Sequence, residues 1–124
     1  MPLFFYLVSL VLLLPSWAQS IARPAAYRVE FVDALPGGAF GYTAQDGRVL
    51  LAPACRANDE ILAQCLVHEG LHVQGHGECL AYTAQLILAL MTQSGESRKF
   101  AQDLYFAYGD AACELNDAQG YDKY

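Results

Sequence analysis

The sequence predicts a single α+β domain: a small antiparallel sheet with a hairpin, then a long helix, a second helix opening on a glutamate, and further C-terminal helices. Three observations predict it. Residues 27–32 (YRVEFV) alternate apolar and charged side chains with a period of two. An Asp46-Gly47 pair separates two apolar segments, a strong short-range hairpin signal. From Asn58 onward the apolar spacing turns helical. A chain of 124 residues with 55 % hydrophobic and 16 % charged residues has room for one domain.

The N-terminal segment stands apart. Leu3 to Leu14 (LFFYLVSLVLLL) carries no charge; as a helix it extends about 18 Å, against roughly 30 Å of bilayer hydrocarbon, so it is too short to span. Pro15 interrupts it, and Ser16-Trp17-Ala18 places small residues at the −3 and −1 positions of a cleavage site. Residues 1–18 are therefore read as a secretory signal peptide without a basic n-region, and residues 19–124 as the domain. The expected location is secreted or periplasmic, with no stable membrane span once the signal is removed.

In the domain, Tyr27, Val29 and Phe31 alternate with Arg28 and Glu30 as a half-buried first strand, which the Leu35-Pro36-Gly37-Gly38 stretch ends. Phe40 to Thr43 and Arg48 to Ala52 flank the Gln45-Asp46-Gly47 turn as hairpin strands. Asn58 caps the next helix, whose first turn carries Asp59 and Glu60, as the positive end of a helix dipole prefers. At 100° per residue, Ile61, Cys65, His68 and His72 share about 60° of arc, so both histidines are expected to face the interior. Gly75 and Gly77 stop this helix near Val73. A second runs from about Glu78 to Met91, with Met91 in the core, and others from Ser97 to Tyr108 and from Asp110 to Ala118.

A small exported domain buries too little surface to do without cross-links, and the cysteine count is even. Cys55, Cys65, Cys79 and Cys113 are expected to form two disulfides. Three pairings exist; Cys55 with Cys65 and Cys79 with Cys113 is preferred. The net charge is −6, and the seven basic residues are scattered, which removes the electrostatic footprint of a nucleic-acid binder. It also disfavours anionic membrane surfaces.

The chemistry concentrates in His68-Glu69-Gly70-Leu71-His72, an HExxH pattern. Residues i and i+4 stand one helical turn apart, so both imidazoles can reach one Zn²⁺. Glu69 projects beside them, placed to carry a proton as general base while ligating nothing. A catalytic zinc needs a third protein ligand. Nearby candidates are His76 and Glu78; Glu96, Asp103, Asp110 and Glu114 are more distant. Glu78 is favoured because it opens a helix after a glycine turn that folds this helix back across the first. Cys65, one turn before His68, leaves room for a closed structural site of Cys65, His68, His72 and one further ligand. Tyr82, Tyr105 and Tyr108 can be placed near an oxyanion, but packing explains each as well.

The stretch from His68 to Tyr82 (HEGLHVQGHGECLAY) resembles the active-site region of zincin metallopeptidases, with an HExxH helix followed by a glutamate that begins an ExxAY-like helix. It is similar to the glutamate helix of gluzincins, including small minigluzincin-like domains. The metzincin pattern is met at His68, Glu69, His72 and Gly75, with Glu78 in the last place, giving HExxHxxGxxE. The resemblance implies a zincin-like fold and Zn²⁺ held by His68, His72 and Glu78. It also implies hydrolysis of peptide bonds in a peptide or protein substrate, with Glu69 as general base. An activating or inhibitory partner is compatible with so small a cleft. The rival reading is a noncatalytic, disulfide-stapled helical binding module with a structural metal or none; Glu69 separates the two, since a structural site has no use for an unligated carboxylate.

Overall fold

The computed structural model describes residues 3–24 and 26–119 and is α+β. Three short strands, β1 (Arg28–Phe31), β2 (Gly41–Thr43) and β3 (Arg48–Leu51), follow two N-terminal helices, α1 (Leu3–Val11) and α2 (Ser16–Gln19). Four helices come after the sheet: α3 (Asp59–Val73), α4 (Glu78–Thr92), α5 (Gly95–Leu104) and α6 (Asp110–Gln119), with a π-helical turn at Tyr105–Gly109 joining the last two.

The sheet is mixed, which corrects the expectation of an antiparallel one. The β2–β3 hairpin forms, with Gly41 opposite Leu51 and Thr43 opposite Val49. Asp46 shapes its turn by accepting from the Arg48 backbone N–H at 3.1 Å. β1, however, lies parallel to β3, with Arg28 opposite Arg48 and Phe31 opposite Leu51. The strand order is β1-β3-β2. The reason is connectivity: β2 reverses the chain and β3 reverses it again, so β1 and β3 run the same way. The whole of β2 serves as the long connection a parallel pair requires.

As the central strand, β3 shows the clearest alternation, burying Val49 and Leu51. β1 is an edge: Tyr27 just before it is buried, whereas Phe31 is exposed beneath the Arg56 guanidinium, 4.8 Å from the ring centre. β2 is the other edge and borders the site.

The axis of the molecule is α3. The Asn58 side chain accepts from the Ile61 N–H at 2.8 Å to start it, and every residue from Ile61 to Leu71 is buried. A 60° apolar arc understates this helix, because α1, α4, α5 and β2 pack around it. The N-terminal segment contributes Leu7, Leu10, Val11 and Ala18 to the same core. Among the described residues no helix is long and apolar enough to cross a membrane.

Both preferred disulfides are formed, Cys55–Cys65 and Cys79–Cys113. The closed metal site that would use Cys65 is therefore ruled out, since that sulfur is bonded to Cys55. The expectation of a core Met91 also fails: Leu88 and Ala89 take the inward positions of that turn and Met91 is 62 % exposed. The predicted 97–108 helix begins at Gly95 and widens at Tyr105 into the π turn, which stacks Tyr108 on Tyr82 with centroids 6.1 Å apart.

Candidate metal centre

Helix α3 ends in a way that builds the site. Gly75, at φ +91°, takes the left-handed position; its N–H bonds the His72 carbonyl at 2.9 Å, and the His76 N–H bonds the Leu71 carbonyl at 2.9 Å. These are the two bonds of a Schellman motif, and a side chain at residue 75 would strain it. The turn directs the His76 carbonyl back onto the His72 ring, whose Nδ1 lies 2.8 Å from it. It then starts α4 at Glu78, whose carboxylate reaches across to α3.

The result brings together His68, His72 and Glu78. One ligand-type atom from each lies within 4.8 Å of the others. His68 Nε2 is 3.2 Å from Glu78 Oε1, and His72 Nε2 contacts the same oxygen. Both Nδ1 atoms are engaged elsewhere, His72 with the His76 carbonyl and His68 with Gln85 Oε1 at 2.9 Å. The two Nε2 atoms and a carboxylate therefore face one point, a donor set that fits a divalent transition metal. Among the described residues it is the only such cluster; His76 enters through its backbone alone, and Glu96, Asp103, Asp110 and Glu114 stay apart from it.

The two histidines differ in depth. His68 is buried at 2 % exposure, as the helix arc predicts, but the His72 side chain is 21 % exposed and opens onto the cleft. That corrects the expectation of two interior histidines. His72 is the last-turn residue on a helix whose covering elements have already ended.

Glu69 lies beside the cluster without joining it. Its Oε2 is 3.8 Å from His68 Nε2, and its Oε1 accepts from the Thr43 hydroxyl at 2.8 Å. Strand β2 approaches so closely that a Cβ at Gly41 would stand 2.9 Å from Glu69 Oε2, so only glycine leaves that oxygen its space. Burial pushes the Glu69 carboxyl above its ordinary value, only partly offset by His68 and the Thr43 bond. For Glu78 burial also acts upward, but contact with both histidines outweighs it and holds the carboxyl at about 2. Burial would lower His72, yet the Glu78 carboxylate and the His76 carbonyl raise it above the usual imidazole value. Tyr82 is raised by burial, and further by Glu78 and Glu69.

A cleft of about 890 Å³ opens over these groups. Phe40, Phe100, Leu104, Tyr82 and Tyr108 make much of its wall, and among the described residues the only carboxylates lining it are Glu69 and Glu78. Phe40 packs edge-on against the His68 ring at 5.2 Å, and Tyr82 packs on the same ring at 4.5 Å. Tyr105, unlike Tyr108, does not line the cleft.

Thr43 and the glutamines behind His68 are site residues that no sequence motif marks. Thr43 gives no signal beyond its place on the hairpin. Gln85 does give one: with Ala81, Tyr82, Leu88 and Ala89 as its neighbours one turn away, it interrupts an otherwise apolar face of α4, and a buried amide in such a face needs a partner. Comparison with protein-family models, with curated proteins and with solved structures found no match.

Proposed function

We propose that the chain is an exported zinc-dependent peptidase in which His68, His72 and Glu78 hold the metal and Glu69 is the general base. The observation that carries this reading is the buried Glu69, kept out of the ligand set by the Thr43 hydroxyl yet only 3.8 Å from a ligating nitrogen. Zinc bound at such a site would lower the pKa of a water to about 7 and polarise a substrate carbonyl. Glu69 Oε2 is placed to take the proton of an attacking water and to return it to the departing amine nitrogen. Its raised proton affinity suits both halves of that exchange. The apolar cleft wall favours peptide segments with aromatic or aliphatic side chains. Export is part of the same proposal: two disulfides suit an oxidising compartment, and no described residue lining the cleft precedes Gly37, so cleavage after Ala18 would leave the cleft's lining in place.

The test is Glu69→Gln in the mature, oxidised chain. It should retain one zinc per chain and lose cleavage of an apolar peptide library by 10²-fold or more. Loss of zinc would make Glu69 a ligand; unchanged cleavage would place the activity elsewhere.

A further inference from the structure

Behind His68 runs a line of buried side-chain amides that ends on two backbone carbonyls. His68 Nδ1 is 2.9 Å from Gln85 Oε1. Gln85 Nε2 donates to Gln64 Oε1 at 3.0 Å. Gln64 Nε2 donates both to Gln93 Oε1 at 2.7 Å and to the Ser97 carbonyl at 2.6 Å. Gln93 Nε2 in turn donates to the Glu60 carbonyl at 2.9 Å. Gln64 and Gln85 are at most 1 % exposed and Gln93 7 %.

The direction of this line is forced from its far end. A carbonyl only accepts, so Gln93 must present its NH₂ to Glu60, and Gln64 must present its NH₂ to Ser97. Gln93 Oε1 then faces Gln64, Gln64 Oε1 faces the Gln85 NH₂, and Gln85 Oε1 is left facing His68 Nδ1. Flipping any one amide would set two buried acceptors or two buried donors against each other, each costing about 1–3 kcal/mol. An oxygen facing Nδ1 draws the proton to that nitrogen, in competition with Glu78 Oε1, 3.2 Å from Nε2, for the one proton of a neutral ring.

We propose that the Gln85–Gln64–Gln93 relay is a positioning device that holds His68 as the Nδ1–H tautomer once a metal between Nε2 and Glu78, or the loss of Glu78, removes the competing acceptor, and so leaves Nε2 free to ligate. It does for the buried histidine what the single His76 carbonyl does for His72. Being made of amides, it orients the ring without adding a negative charge behind it, so the formal charge of two neutral imidazoles, one carboxylate and Zn²⁺ stays at +1. The metal half of this inference rests on the proposed zinc site; the tautomer half does not.

The experiment is ¹⁵N-histidine NMR of the zinc-free, oxidised Glu78→Ala protein with its imidazoles neutral, in which the carboxylate that faces Nε2 is gone, paired with zinc competition titrations of chains that keep Glu78. Glu78→Ala should show His68 protonated at Nδ1. Adding Gln85→Met to Glu78→Ala should give mixed tautomers, and Gln85→Met alone should weaken zinc by about 10–100-fold, the usual cost of losing an outer-shell partner. Gln85→Glu keeps an oxygen at Nδ1, and as the neutral acid it donates to Gln64 Oε1, so in the same two backgrounds it should restore the Nδ1–H signature and most of the affinity. An Nε2–H signature in Glu78→Ala overturns the proposal, as does Gln85→Met with tautomer and affinity unchanged. The Glu78→Ala spectrum decides even if Gln85→Met does not fold. An Nδ1–H signature there, with no zinc taken up by wild type, supports the relay and sinks the metal reading alone.

Discussion

The two sides of the His68, His72 and Glu78 cluster are held by different physics. On α3, His68 and Glu69 are each 2 % exposed, and their positions are set by packing on all faces of the helix and by side-chain bonds. On α4, the Glu78 side chain is 50 % exposed at the first turn of its helix, and its neighbour Cys79 is bonded to Cys113 of α6. The core fixes one side and a covalent tie steadies the other. The α3 side should therefore tolerate little change, whereas the α4 side should respond to changes that leave the fold standing.

The largest effect expected from this contrast is on metal uptake. Glu78→Ala removes the only carboxylate in the cluster, so zinc affinity should fall by more than the roughly 10–100-fold that outer-shell losses cost. His76→Ala keeps the carbonyl that accepts from His72, because that bond belongs to the backbone; zinc affinity should change little. Zinc titration of the two variants checks this, and loss of metal in His76→Ala with retention in Glu78→Ala would reverse the assignment.

Next come the disulfides, one on each side. In the chain-entropy picture, closing 10 residues at Cys55–Cys65 contributes about 3 kcal/mol and closing 34 at Cys79–Cys113 about 4 kcal/mol. Their consequences for the site should differ more than these energies do. Cys79→Ala with Cys113→Ala should lower both the urea midpoint and the zinc affinity of the folded protein, because it frees the turn that carries Glu78. Cys55→Ala with Cys65→Ala should lower the midpoint alone, since both sulfurs lie in the core. Equal zinc affinities in the two double variants would show that the tie to α6 does not steady Glu78.

The same contrast explains what was legible in the sequence. Caps and turns are local, so Asn58 and the Gly75-containing turn marked the bounds of α3 to within a residue, and the i, i+4 spacing of His68 and His72 placed both rings on one helix face. Glu78 was legible because a short turn constrains where the next helix begins. The parallel pairing of β1 with β3 was not, since it depends on which edge of β3 is free once the hairpin has formed. Nor was the depth of each histidine, which depends on where α4, α5 and β2 stop covering α3. The relay of Gln85, Gln64 and Gln93 joins side chains far apart in sequence, and only packing reveals that they meet.

The smallest effect probes the α3 side through Tyr27. Its ring is buried at 8 % exposure, and its hydroxyl lies 3.5 Å from the Leu66 carbonyl, a long and weak bond. Burial, foremost, holds its pKa well above the ordinary tyrosine value of about 10, with the Glu69 charge adding to the rise. The folded state therefore keeps this proton at a pH where the unfolded chain releases it. Its contribution to stability is complete below about pH 10 and is lost as the pH rises further, at up to about 1.4 kcal/mol per pH unit. Tyr27→Phe removes that titration at the expense of one weak hydrogen bond, worth at most about 1 kcal/mol. Urea midpoints measured from pH 8 to pH 11 should start with wild type equal or slightly ahead and end with Tyr27→Phe ahead. Parallel profiles for the two proteins would mean that the Tyr27 hydroxyl reaches water, and that the packing around α3 is looser than the structure has it.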